Sequence, residues 1–200
     1  MTFLSLSDRR ILLLTFLCEG ALSGIYLAWT LYQSTFAIVL PTWESAALGL
    51  LHAALLLVAN VLIMLLFQGN SPDRSSLSQF VDLIVYPLAK SLSPPTIVIV
   101  SVLAGVGEEL FFRGVLQEQL GWLLASILFG FMHFGTAVRE YFSVFVLYVF
   151  LGGYIGLVYA ATGSLWVVVV QHAVYDFLAL LYLKYRYRPS VGESVLGPNC

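Results

Sequence analysis

Eight ionisable residues sit inside apolar runs of this chain: Glu19, His52, Glu108, Glu109, Arg113, His133, His172 and Asp176. At the centre of a membrane helix an Asp, Lys or Arg costs roughly 2.5–3.5 kcal/mol, so such groups face the protein interior and mark function by default. Glu109 and Arg113, in the stretch GEELFFRG, are four residues apart and share a helix face. His172 and Asp176, in HAVYD, repeat that spacing, as do Phe129 and His133 in FGFMH. Glu108 is turned about 100° from Glu109 and is free to point elsewhere. A glutamate withdrawn from bulk water can serve as a general base toward a water. Two histidines can donate to a developing oxyanion, or bind a metal that does so. Two His, a carboxylate and an open position would suit catalytic zinc, although the HExxH pattern is absent. Spacing alone leaves a metal site and a metal-free glutamate–histidine site equally open.

The elements that hold these residues are set by composition. Hydrophobic residues make up 60 % of the chain and charged residues 10 %, with mean hydropathy +0.93. Soluble domains lie nearer 45–50 % and about 25 %. The expectation is an all-α polytopic transmembrane bundle, one membrane domain over 1–200, with the motif-bearing core at about 94–182 and a polar tail at 184–200. Spans about 20 residues long are expected at Ile11–Leu31, Ala46–Phe67, Pro95–Phe112, Gly121–Phe134, Tyr141–Ala161 and Ser164–Leu183. That makes about six, the fourth being short. Phe80–Leu92, with Asp82, Pro87 and Lys90, reads as an interfacial helix. QGNSPDRSSLSQ reads as a polar loop. The N-terminal run is read as a first membrane helix, though Ala21-Leu22-Ser23 has the small-x-small form of a cleavage site. Gly152 and Gly156 read as a close helix-packing pair.

Six spans with the N-terminus inside place eight of the nine basic residues on the cytoplasmic side, all but Arg113. Both termini are therefore expected to be cytoplasmic, in the plasma (inner) membrane. Helical rise then brings Glu108, His133, His172 and Asp176 into one layer roughly 10 Å thick, nearer the outer face. The bilayer itself is the partner that composition implies. No basic run suggests nucleic acid. Cys18 and Cys200 form no disulfide framework. Glu19 and His52 read as structural hydrogen-bonders. For the motif cluster, catalysis or proton-coupled transport outweighs helix-to-helix glue, which is usually Ser, Thr or Asn. A transporter or a non-catalytic scaffold is the competing function, and no inverted repeat is visible to support a transporter.

The motifs EELFFR, FGFMH and HAVYD, in that order, resemble the CPBP family of intramembrane proteases (CAAX proteases and bacteriocin-processing enzymes), also called the Abi family. The resemblance covers roughly Pro94 to Tyr182. It implies a membrane endopeptidase acting on membrane-associated, prenylated or leader peptides. In it Glu108 activates water, His133 positions and polarises that water, and His172 and Asp176 stabilise the oxyanion. Glu109, Arg113 and Phe129 would support them. The resemblance leaves the cofactor open between none and a divalent metal such as zinc, held in that case by Glu108, His133, His172 and Asp176. Its third motif often ends in Asn where this chain has Asp176. A carboxylate donates to an oxyanion only when protonated, which favours a role for Asp176 in orienting His172 or in metal ligation.

Overall fold

The computed structural model describes residues 7–37, 39–67 and 76–189, and all regular structure among them is helical. The helices are α1 (Asp8–Tyr32), α2 (Trp43–Phe67), α3 (Ser76–Phe80), α4 (Tyr86–Ser91), α5 (Pro94–Phe111), α6 (Glu118–Phe134), α7 (Phe142–Thr162) and α8 (Leu165–Tyr185). A π-helical stretch, Val81–Val85, joins α3 to α4, and another, Phe112–Gln117, joins α5 to α6. Most of the expected polar loop after Phe67, and the tail from residue 190 including Cys200, lie outside the described residues. The interfacial segment predicted at Phe80–Leu92 falls on α3, α4 and the π turn between them.

Among the described residues, five segments are long and apolar enough to cross a membrane, against the six expected: Asp8–Tyr32, Trp43–Ile63, Pro94–Arg139, Phe142–Thr162 and Leu165–Tyr185. The difference lies in Pro94–Arg139, which contains both the third and the fourth predicted spans. Gly121 has φ 80° and ψ 162°, a backbone that breaks the helix and that glycine tolerates without a Cβ clash. The chain folds back there. The rings of Phe112 and Phe129 have centroids 5.1 Å apart, whereas a straight helix would separate them by about 25 Å. The segment is thus a hairpin of two legs.

The two ends of the bundle are fixed by polar contacts. At one end Asp8, opening α1, accepts hydrogen bonds from Ser93 N (3.1 Å), Ser93 Oγ (3.0 Å) and Thr96 Oγ1 (2.8 Å) at the start of α5. Lys184, near the end of α8, donates to the Lys90 carbonyl at 2.9 Å. Ser76 and Ser143 are hydrogen-bonded at this same end. At the other end Trp166 Nε1 donates to the Val39 carbonyl at 2.6 Å, and Tyr159 OH donates to Glu118 at 2.9 Å. So α1, α5 and α7 run one way, and α2, α6 and α8 return. Asp8 and Lys184 lie at the same end.

The outer surface is apolar. Leu13, Leu14, Phe16 and Leu17 of α1 and Leu51, Leu55 and Val58 of α2 are about half exposed, a distribution suited to hydrocarbon and not to water. This is a multi-pass membrane protein. The interior is held by close helix contacts. A Cβ on Gly105 would lie 2.9 Å from Ala173 N, Ala173 Cβ and the Val169 carbonyl, so α5 and α8 approach there nearly backbone to backbone.

Candidate active site

The last turn of α5 and the π stretch after it carry the first group. Glu109 and Arg113 are fully buried, and Arg113 Nε donates to Glu109 Oε2 at 3.0 Å. The four-residue spacing brings the two onto one face, as expected. The pair is not closed on itself. His172 of α8 presents Nδ1 to the other carboxylate oxygen, Glu109 Oε1, at 2.6 Å. Glu109 therefore takes one charged neighbour from its own segment and one imidazole from α8. The Gly105 contact one turn below sets the helix separation that allows this.

His172 lies between two carboxylates. Its Nδ1 is turned to Glu109 and its Nε2 to Asp176 Oδ2, 3.5 Å away and one turn further along α8. Among the described residues, Arg113 has no hydrogen-bond acceptor within reach of Nη1 or Nη2. Its guanidinium sits instead 5.5 Å over the Phe129 ring, a distance at which an aromatic face attracts a cation. Phe129, only 3 % exposed, also packs against Phe112, His133 and His172. It is the ring around which the other side chains are arranged.

Glu108 is separated from this network. Its Oε2 is buried and has no hydrogen-bond partner among the described residues. The nearest facing nitrogen is His133 Nε2 at 3.7 Å, beyond a direct hydrogen bond. His133 comes from the returning leg of the hairpin. Its Nδ1–H donates to the Phe129 carbonyl at 2.9 Å, which fixes the ring and leaves Nε2 turned to Glu108. Measured from Gly121 along the two legs, Glu108 and His133 lie at similar depth, about 20 and 18 Å by helical rise. The turn at Gly121 thus brings the first two motifs level.

Two residues not placed in the cluster from sequence are found in it. Tyr148 of α7 stacks on His133 with ring centroids 4.8 Å apart, and Phe80 of α3 packs against Tyr148, Phe134 and Tyr141. Their aromatic character is common in membrane helices, so nothing in the sequence singles them out. Glu19 of α1 lies against Gly107, next to Glu108: a Cβ on that glycine would fall 2.5 Å from Glu19 Oε2. Its position within an apolar run was visible, but its register against α5 was not. His52 is elsewhere, with Nδ1 2.7 Å from Tyr154 OH, in keeping with a structural role.

The four side chains considered as metal ligands do not close around one point. His172 has both ring nitrogens directed at carboxylates, and His133 has one committed to a backbone carbonyl. Among the described residues no three His, Cys, Asp or Glu side chains are grouped to hold an ion.

Residues 90–178 match the family described as type II CAAX prenyl endopeptidase Rce1-like. That stretch, less than half of the chain, is similar to an Rce1-like domain. The matched stretch contains Glu108, Glu109, Arg113, Phe129, His133, His172 and Asp176, while α1 and α2 lie outside it. The Rce1-like family is one of CAAX intramembrane proteases, so the match supports a protease. The chain is also 25 % identical over 139 residues to the uncharacterized protein YpbD of Bacillus subtilis (strain 168), covering 70 % of this chain and 69 % of the relative. No solved structure matches the chain.

Proposed function

We propose that this protein is an intramembrane endopeptidase in which Glu108 activates the attacking water. The observation that carries the reading is the contrast between adjacent glutamates. Glu109 is tied by Arg113 and His172, whereas Glu108 keeps a buried, unpartnered oxygen facing a histidine across 3.7 Å. A group that takes a proton must have a free acceptor within reach of the water. Glu108 has one and Glu109 does not.

The water lies beside Glu108 and His133. Its oxygen bonds to the scissile carbonyl carbon as one proton passes to Glu108. His172, held between Glu109 and Asp176, carries an N–H on Nε2 when protonated and turns it to the carbonyl oxygen as that oxygen gains charge. The carbon–nitrogen bond then breaks, and Glu108 returns its proton to the leaving nitrogen. Glu109 fixes the His172 ring, and Phe129 excludes water from the far side.

The reading extends to access. The described chain beyond His133 leaves α6 within one residue, and the His133 side chain is 29 % exposed. Access is read as coming from the end holding Asp8 and Lys184, where α6 stops, the side that the positive-inside rule favours as cytoplasmic. Peptides near the membrane surface, prenylated or leader-like, would enter there. The earlier expectation of a layer nearer the outer face is replaced in this reading by a mid-depth site open inward.

Cleavage of a peptide library by purified protein in detergent, with metal content measured on the same sample, tests the function. Glu108→Ala, His133→Ala and His172→Ala proteins are expected to remain folded and lose cleavage. Full activity in all three overturns the reading.

A further inference from the structure

Glu19 is the acidic group that this mechanism leaves unused. It lies on α1, outside the Rce1-like match. It is held beside the base by backbone contact: a Cβ on Gly107 would come within 2.8 Å of both Glu19 Cβ and the Glu19 carbonyl. Only a hydrogen at position 107 lets α1 seat so closely one residue before Glu108. Glu19 Oε2 is buried and, like Glu108 Oε2, has no hydrogen-bond partner among the described residues. The charges that act on Glu19 are those of His172 and Asp176, and Glu19 in turn acts on Glu108, so all four belong to one electrostatic neighbourhood. Two buried acceptors in one electrostatic neighbourhood, neither with a partner among the described residues, are not accounted for by packing, since an orphaned buried polar group costs stability.

Peptide hydrolysis supplies a use for both. The products at neutral pH are a carboxylate and an ammonium ion, so both protons of the water end on the leaving nitrogen. Glu108 carries the first. The second remains on the new carboxylic acid and needs an acceptor of its own.

We propose that Glu19 is a second catalytic carboxylate, which accepts that remaining proton. The proposal rests on the reading of Glu108 as the base. In sequence, the water oxygen bonds to carbon and its first proton goes to Glu108. The carbon–nitrogen bond breaks as nitrogen takes this proton back. The O–H of the new acid then passes its proton to Glu19, which delivers it to the amine. Both glutamates end unprotonated, and no further reactant is needed.

Glu19→Gln keeps the size and a hydrogen-bonding oxygen but cannot accept this proton, whereas Glu19→Asp can. Steady-state cleavage of a peptide found by the library screen decides between them. The expected result for Glu19→Gln is a kcat lower by roughly tenfold or more, with KM within threefold and an unchanged unfolding temperature in detergent. Glu19→Asp is expected to keep a higher kcat than Glu19→Gln. Wild-type kcat in Glu19→Gln, or a Glu19→Asp rate no higher than that of Glu19→Gln, overturns the proposal. Glu108→Gln serves as the control. If it is fully active, the function reading itself fails; if it is dead while Glu19→Gln is fully active, only the role of Glu19 fails.

Discussion

The imidazole of His172 is hydrogen-bonded to Glu109, at 2.6 Å, and not to the neighbouring Glu108. The two glutamates of one motif therefore have opposite duties, and mutation should separate them. Glu109→Ala leaves the buried Arg113 charge without its partner, and breaking such a pair costs about 3–5 kcal/mol. Glu108→Ala removes an unpartnered oxygen and costs little. Thermal unfolding in detergent should show Glu109→Ala strongly destabilised and Glu108→Ala near wild type, with cleavage lost in both.

Gly105→Ala should damage the site from a distance. The added methyl meets the backbone of α8 at 2.9 Å, and backbone cannot rotate away as a side-chain tip can. Overpacking of this kind costs about 1–3 kcal/mol. Separation of α5 from α8 also lengthens the Glu109–His172 contact. A fall in kcat greater than the loss of folded protein, measured on the same preparation, is the expected result.

Asp176 is tested by a milder change. Asparagine retains an oxygen that can face His172 Nε2. Asp176→Asn should thus keep kcat within about tenfold of wild type, while Asp176→Leu, with no acceptor, falls further. Equal rates in the two variants would remove Asp176 from the His172 arrangement.

Tyr187, beyond the last span, donates to Asp82 at 2.7 Å. Burial, and then the hydrogen bond to Asp82, raise the proton affinity of its hydroxyl above the ordinary tyrosine range. It remains a donor at neutral pH, and its contribution is lost only as pH rises through that raised value. Asp82 is fully buried. Tyr187→Phe should therefore cost about 1–3 kcal/mol, read as a lower unfolding temperature at neutral pH with unchanged KM.

Much of this arrangement was legible before any coordinates. Four-residue spacing placed Glu109 with Arg113 and His172 with Asp176, because helical geometry is local. Helical rise brought Glu108, His133 and His172 to similar depth for the same reason. The partner of His172 was not legible, since it depends on how α8 is rotated against α5, and the small residue Gly105 sets that contact without announcing it. Glu19 reads as structural from the sequence because nothing local distinguishes it; its placement comes from Gly107 on another helix. The two spans expected at Pro95–Phe112 and Gly121–Phe134 lie within the one segment Pro94–Arg139, and the dihedrals of Gly121 show where its two legs part.

The fold-back at Gly121 makes the distance between the first two motifs a matter of chain counting. Each residue added to either leg shifts its motif by about 1.5 Å and swings it by about 100°. A single insertion between Arg113 and Gly121, or between Gly121 and Phe129, would turn one side of the Glu108–His133 pair away from the other. Loops elsewhere in the bundle can lengthen freely, whereas this stretch tolerates change only in whole turns matched on both legs. The Glu108–His133 gap is thus calibrated by sequence length, a form of tolerance that no substitution scan of the site residues would reveal.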